Sequence, residues 1–162
     1  MVLSRDRSVV STPKPEAGTL ATPVNSLGIV KAFISNLPIY RNGLSPQRRG
    51  LEVGMAHGYF LLGPFTLLGP LRHTEQAYLA GLLSTAGLVV ILTACLAIYA
   101  MVSPPPPLPS VAASNPPTNI KDGKGWSEFT SGFLIGGLGG AAFAYLLVAN
   151  IPVLSGFSIL AK

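Results

Sequence analysis

Three long apolar stretches dominate the pattern of hydrophobic and polar positions along this chain. They cover residues 51–71, 77–102 and 129–150, and short polar or proline-rich segments separate them. Each is as long as the roughly 20 residues that a helix needs to cross the hydrocarbon core of a bilayer. The middle stretch contains no charged residue. The pattern therefore predicts an all-α membrane protein with three transmembrane helices.

The first 50 residues differ from the rest of the chain. Ser, Thr and Pro recur up to residue 28 without periodic apolar spacing, which predicts an extended, weakly ordered arm. From Leu27 to Pro38 the apolar residues share one face, and this predicts a short helix at the membrane interface. The arm has neither the apolar core of a signal peptide nor the features of a long transit peptide, so we expect it to remain on the mature protein.

Prolines shape the other connections. Pro64 predicts either a kink within the first span or irregular last turns, because proline removes a backbone donor and clashes one turn back. Residues 103–126 contain several prolines and predict an extended loop. Ser127 is the expected N-cap of the third helix. The apolar tail, residues 151–162, is too short to cross a bilayer, so we expect it to lie in the interface or in a subunit contact.

Composition supports a membrane protein and limits its partners. The 162 residues are 49% hydrophobic and 10% charged, with a mean hydropathy of +0.51, which is enough for one small bundle. Seven of the eleven Lys and Arg residues precede residue 50 and are not interleaved with aromatic residues, so nucleic acid is not an expected partner. The positive-inside rule instead places the arm and the loop with Lys121 and Lys124 on the cytoplasmic or stromal side.

Two ionisable residues, Glu52 and His57, lie within the first apolar stretch. A charged side chain costs at least a few kcal/mol inside a bilayer, so each residue needs a partner. At about 100° per residue the two positions lie about 140° apart around a helix, which favours two separate partners. A carboxylate can ligate a metal or accept from Arg48 one turn earlier, and neutral imidazole is a common metal ligand. Burial of both residues against a neighbouring helix is the alternative.

Glycines recur at every fourth position in the first and third spans. The rows are Gly50, Gly54 and Gly58, and Gly132, Gly136 and Gly140 followed by Ala144. Such rows allow a helix or a flat cofactor to approach the backbone closely. For the third span we prefer helix packing, and for the first span both interpretations remain open.

Two other functional classes fit parts of the pattern. A small polytopic transporter or a proton-conducting subunit would use Glu52 and His57, but it would also need polar partners in the second and third spans, which lack them. An enzyme would need a nucleophile with a base or a clustered metal set. His73, the second histidine, lies near the far boundary of the first span, and Cys95, the single cysteine, is expected to be a small buried residue.

Several long motifs resemble one family. They are NLPIYR at 36–41, RRGLEVGMAHGYFLLGP at 48–64, LGPLR at 68–72 and GWSEFTSGFLIGGLGG at 125–140. They closely resemble subunit XI of photosystem I, the L subunit, and the resemblance runs from about residue 22 to near the C-terminus. It implies three helices in the thylakoid membrane, with a cytoplasmic or stromal N-terminus and a lumenal C-terminus. It also implies an accessory antenna and assembly subunit without catalysis. Because the arm lacks the features of a transit peptide, we expect a cyanobacterium or a plastid gene as the source.

The resemblance implies cofactors and partners as well. Glu52 and His57 would supply axial ligands to the magnesium of chlorophyll a, with the glycines of the first span leaving room for the ring planes. Carotenoid, with β-carotene the leading candidate, would bind at the edge of the complex. The partners would be core subunits of photosystem I, neighbouring small membrane subunits, membrane lipid and copies of the same chain across an oligomer interface. A threefold assembly is the leading expectation.

One motif departs from the family pattern. Cyanobacterial members commonly carry Asp directly after LGPLR, where it helps to bind calcium together with the carbonyl of the motif's proline, here Pro70. This chain has His73 at that position, and imidazole is a poor calcium ligand compared with carboxylate. We therefore expect the calcium site to be lost or to be rebuilt around Glu75.

Overall fold

A computed structural model describes residues 9–10, 19–105, 109–113 and 116–151 of the chain. Its helices are α1 (Pro23–Ser26), α2 (Gly28–Asn36), α3 (Pro46–Leu68), α4 (Ala77–Met101) and α5 (Gly123–Asn150). Two strands of two residues each, β1 (Val9–Val10) and β2 (Thr19–Leu20), pair antiparallel. The described part of the chain is therefore all-α apart from this one short pairing.

The three long helices form one bundle. α3 and α5 run parallel, because Gly50 lies against Phe129 and Gly58, two turns later, lies against Gly137. Their contact is the most extensive in the described part of the chain, and α4 packs antiparallel against both. Buried side chains at the centre come from α4, α5 and the loop between them, and they are Val89, Ile120, Phe129 and Phe133.

Glycines on both helices form the contact between α3 and α5, which we call the glycine seam. On α3 the seam glycines are Gly50, Gly54 and Gly58, and on α5 they are Gly132, Gly136 and Gly140. A Cβ added to any of them would overlap a backbone carbonyl oxygen of the other helix. Helix packing therefore explains both glycine rows. The expectation that the row on α3 leaves room for pigment rings is wrong, because α5 fills that space.

The start of α5 differs from the prediction. Asp122 caps the helix, since its carboxylate accepts a hydrogen bond from the backbone N–H of Gly125 at 2.8 Å. The helix thus begins at Gly123, six residues before the apolar stretch at 129. Ser127 lies inside the helix and is not its N-cap.

α3 begins five residues before the start of the predicted span, 51–71, and ends three residues before its end. Ser45 caps the helix by accepting from the N–H of Arg48 at 3.3 Å, and Pro46 occupies the first turn, where no backbone donor is needed. The last helical residue is Leu68, where the prediction extended to 71. The helix continues through Pro64, so the expected irregularity there does not interrupt it.

The N-terminal arm is more ordered near the bundle than its composition predicts. Thr22 and Asn25 cap α1 reciprocally, each accepting from the other's backbone N–H. α2 ends at Asn36, before Pro38, as predicted. Neither helix contains a buried residue, and Phe33 of α2 is 66% exposed. This apolar exposure is typical of a helix that lies on a membrane surface.

One hydrogen bond joins the loop after α4 to the start of α3. The side-chain Nδ2 of Asn119 donates to the carbonyl of Leu44 at 2.7 Å. Since α3 and α5 run parallel, Lys121 and Lys124 lie at the same end of the bundle as the arginines at the start of α3. This is the arrangement that the charge pattern predicts. The tail from residue 152 onwards lies outside the described residues.

Two of the described helices, α4 and α5, are long and apolar enough to cross a membrane. α3 is long enough, with 23 residues, but Glu52 and His57 lower its hydropathy. The candidate site residues are therefore the ones that make α3 less apolar than the other two helices. Cys95, which we expected to be buried, is exposed because the neighbouring helices leave its face of α4 uncovered.

Candidate functional site

Glu52 lies in the second turn of α3 and accepts hydrogen bonds from two arginines. Its Oε1 accepts from the Nε–H of Arg48, one turn earlier, at 3.2 Å. Its Oε2 accepts from an Nη2–H of Arg41, which precedes the helix. The side chain is only 21% exposed. The pairing with Arg48 that the spacing allows is thus present, and each oxygen keeps a lone pair for another ligand.

Arg41 reaches Glu52 because a turn holds it beside α3. Arg49, buried at the start of α3, donates through Nη1 to the carbonyls of Pro38 and Ile39 at 2.9 and 3.0 Å. These two bonds fasten the turn to the helix. The carboxylate therefore has one donor from its own helix and one from a separate backbone segment.

His57 lies on the exposed surface of α3. Its Nδ1 is 2.8 Å from the carbonyl oxygen of Val53. Since a carbonyl can only accept, Nδ1 donates in this contact, and in a neutral ring the lone pair is then on Nε2. The ring also contacts the edge of Phe133 on α5, with a centroid distance of 5.5 Å. Such a bond at one ring nitrogen is the usual way to orient the other nitrogen towards a metal.

The two side chains form two separate sites. Positions 52 and 57 point about 140° apart on an ideal helix. Glu52 pairs with arginines near the start of α3, whereas His57 lies beside α5. Among the described residues there is no group of three or more His, Cys, Asp or Glu side chains that could hold a metal ion. Each of the two side chains could therefore supply only one ligand from its own position.

The residues of the doubtful calcium site lie in the turn between α3 and α4. Pro70, His73 and Glu75 are all exposed. Arg72 donates through Nη1 to the carbonyl of Gly69 at 3.2 Å, so a positive charge lies beside the carbonyl that precedes Pro70. Calcium takes about six to eight oxygen ligands. The geometry of this turn gives the calcium hypothesis no support.

Two contributors to these sites, Arg41 and Phe133, are not apparent from the sequence. Arg41 lies 11 residues before Glu52, and their contact depends on a turn that no local periodicity reports. Phe133 meets His57 only because the glycine seam sets the register of α5 against α3. The bond to Val53, by contrast, follows from the spacing of four residues along one helix.

Comparisons with known proteins identify the family. The family model described as photosystem I reaction centre subunit XI matches residues 9–153. The chain is 54% identical over 152 residues to photosystem I reaction center subunit XI of Mastigocladus laminosus, which covers 93% of this chain and 88% of that protein. The proteins of the same name from Synechococcus elongatus and Porphyra purpurea are 58% identical over 138 residues and 54% identical over 140. These matches cover 84% of this chain and 83% of the Synechococcus protein, and 86% and 87% in the Porphyra comparison. The chain therefore belongs to the photosystem I reaction centre subunit XI family.

Proposed function

We propose that this chain is an accessory pigment-binding subunit of photosystem I, in which His57 and Glu52 each supply an axial ligand to the magnesium of a chlorophyll a. Membership of the family makes the chain a non-enzymatic photosystem I subunit. One observation carries the pigment-binding role. His57 lies on the exposed surface of α3 with Nδ1 bonded to the Val53 carbonyl, so in a neutral ring the Nε2 lone pair is available to a metal.

His57 fits the ligand role in protonation and in position. A polar ring on the outer surface of a membrane helix is unfavourable unless it has a partner. The Nδ1 proton already has one in Val53, so only the Nε2 lone pair calls for another. The contact with Phe133 restrains the ring from the side of α5. A chlorophyll bound there supplies light absorption and excitation transfer, and the protein side chains hold and orient it.

Glu52 fits the second ligand role for a different reason. Magnesium prefers oxygen donors, and both carboxylate oxygens of Glu52 keep acceptor capacity after bonding to Arg41 and Arg48. The two guanidinium groups also supply opposite charges beside the carboxylate, close to a membrane boundary. Glu52 can therefore serve as an anionic ligand without leaving an unpaired charge.

In the proposed topology, α3, α4 and α5 all cross the thylakoid membrane. The end of the bundle with Arg48, Lys121 and Lys124 is the stromal or cytoplasmic end, by the positive-inside rule. The turn after α3 and the C-terminal tail are then lumenal. α2 lies on the stromal surface, which agrees with its exposed apolar side chains.

The outer surface of the bundle supports the proposed partners. Large apolar side chains are exposed on all three long helices, and examples are Phe60, Leu83, Ile91, Ile135 and Phe143. In the membrane these surfaces contact lipid, carotenoid such as β-carotene, core subunits, and neighbouring small membrane subunits. We also propose contacts with copies of this chain across a threefold interface between complexes, with the tail from residue 151 contributing.

The alternative, a transporter or proton-conducting subunit that uses Glu52 and His57, has less support. Glu52 is occupied by two arginines, and His57 faces outwards beside Phe133. The hydrogen bonds of the two side chains go to different residues, Arg41 and Arg48 for Glu52 and Val53 for His57. Membership of a photosystem I family also assigns the chain to a different class of protein.

The test is His57→Leu in the assembled photosystem. Leucine cannot ligate magnesium, so the complex should lose one chlorophyll per chain while the helices still insert. Phe60→Leu is the matched control, because Phe60 lies three residues away on the same helix and is 73% exposed. Pigments are counted after extraction from purified complexes that retain the subunit. An unchanged chlorophyll count in His57→Leu would contradict the assignment.

A further inference from the structure

We infer that Arg41 is a positioning residue for the Glu52 ligand, so that the site is complete only when the turn of residues 37–45 lies against α3. The inference rests on the proposed function of Glu52. It goes beyond that function because it assigns part of a pigment site to a residue outside the membrane helix.

Arg48 alone does not fix the carboxylate. It lies one turn before Glu52 on the same helix and offers a single Nε–H to Oε1 at 3.2 Å. Its side chain is 68% exposed, and exposed ion pairs at this spacing orient their partners only weakly. A glutamate held only at one oxygen can still rotate about its terminal torsion.

Arg41 supplies the missing restraint from a different direction. It bonds to Oε2, the other carboxylate oxygen, and it is less exposed than Arg48, at 38%. With a donor at each oxygen, the plane of the carboxylate is fixed and the remaining lone pairs have set directions. Residues that orient a metal ligand in this way affect metal binding without touching the metal.

The backbone of the turn is itself well fixed, so Arg41 is a defined donor. The backbone N–H groups of Tyr40 and Arg41 both donate to the carbonyl of Leu37, at 2.9 and 2.8 Å. Arg49 fastens the same turn through two further carbonyls. Arg49 therefore holds the turn against α3, the turn holds Arg41 in place, and Arg41 bonds to Glu52.

The charge balance gives the site a spectroscopic signature. Two guanidinium groups surround one carboxylate, so the cluster is more positive than an isolated glutamate ligand. Removal of one guanidinium changes the electrostatic potential at any pigment that Glu52 holds. A residue that only stabilises the fold would not move the absorption band of that one pigment.

The experiment compares four variants in purified photosystem complexes: Arg41→Met, Arg41→Lys, Arg48→Met and Glu52→Ala. Glu52→Ala should lose one chlorophyll per chain. Arg41→Met should lose the same chlorophyll or shift its band in a low-temperature absorption spectrum. Arg41→Lys should restore the wild-type spectrum, because an ammonium group can donate to the same oxygen. Arg48→Met should shift the band less than Arg41→Met.

A double variant tests whether Arg41 acts through Glu52. In the Glu52→Ala background, Arg41→Met should change neither pigment count nor spectrum further. An additional change there would overturn the inference, as would an Arg41→Met spectrum identical to wild type. If Glu52→Ala itself keeps every pigment, the proposed role of Glu52 fails and the inference fails with it. If Glu52→Ala loses a pigment and Arg41→Met is silent, only the inference fails.

Discussion

The side of α3 that faces α5 makes its closest contacts through glycines and backbone carbonyls, whereas other positions of the same helix carry a carboxylate and an imidazole. In the glycine seam each close contact has its partner inside the chain, since the glycines of α3 meet carbonyls of α5 and the reverse. Glu52 and His57 also bond within the chain, but the carboxylate oxygens of Glu52 and the Nε2 atom of a neutral His57 can still accept from or ligate another molecule. The comparison separates what holds the subunit together from what it offers to other molecules.

The largest expected effect follows from filling the seam. Gly58→Ala places a Cβ on the carbonyl oxygen of Gly137, so α3 and α5 must move apart along the seam. Overpacking of this kind typically destabilises a protein by about 1–3 kcal/mol, and rigid backbone on both sides puts this case at or above the upper end. The measurement is the thermal stability of the subunit in detergent-solubilised complexes, together with its retention after purification.

Gly63→Ala is the matched control for that prediction. Gly63 lies on the same helix, five residues from Gly58, and a Cβ there would meet nothing within 4 Å. The substitution should leave stability unchanged or raise it slightly, because alanine favours helix more than glycine by up to about 1 kcal/mol. Equal destabilisation by both substitutions would mean that the close contact between Gly58 and Gly137 does not cause the effect.

A smaller effect on stability is expected near the starts of α3 and α5, where the loop before α5 bonds to Leu44. Asn119→Ala removes the only hydrogen bond described between the loop before α5 and Leu44, at the start of α3. A bond of this kind contributes about 1 kcal/mol, and its loss should make the loop cleave faster in limited proteolysis. Asn150→Ala is the control, because Asn150 makes a similar bond to Leu146 within its own helix.

The outcome for Asn119 also bears on the direction of the helices. A cleavage rate equal to that of Asn150→Ala would show that the seam alone holds the starts of α3 and α5 together. A clear difference would show that the loop contributes to their parallel alignment.

Much of the fold follows from the sequence because long apolar stretches report helices directly. A helix covers most or all of each predicted span, and α2 ends where Pro38 requires it. The starts of α3 and α5 were predicted too late, because the apolar pattern begins after the polar first turns that Ser45 and Asp122 cap. Hydropathy marks the part of a helix that lipid can cover, and capping residues mark where the helix begins.

The candidate site was predictable only in its central residues. Glu52 and His57 stand out because ionisable side chains are unfavourable in an apolar stretch. Arg41 and Phe133 do not stand out, because their contacts depend on a turn and on the register between two helices. The glycines of α3 fitted either a helix or a flat ring, and only the position of α5 decides between them. Sequence periodicity shows which face of a helix carries only glycines, but not which molecule or helix packs against that face.

The smallest expected effect concerns the second histidine, which contrasts with His57. His57 has a bonded Nδ1 and a ring packed on Phe133, whereas His73 is exposed in a turn whose neighbouring carbonyl already accepts from Arg72. A carboxylate at position 73 would add at most two of the six to eight or so oxygens that calcium takes. His73→Asp should therefore leave the size of detergent-solubilised complexes unchanged, with or without a calcium chelator.

His73→Asn is the control, because it has the shape of the aspartate without its charge. A change in oligomer number that appears with Asp, is absent with Asn and is reversed by the chelator would show that this exposed turn does bind calcium. In that case the outer surface would offer a site that the geometry of a single chain does not reveal, and the contrast between the two histidines would depend on the partner copy and not on bonding within the chain.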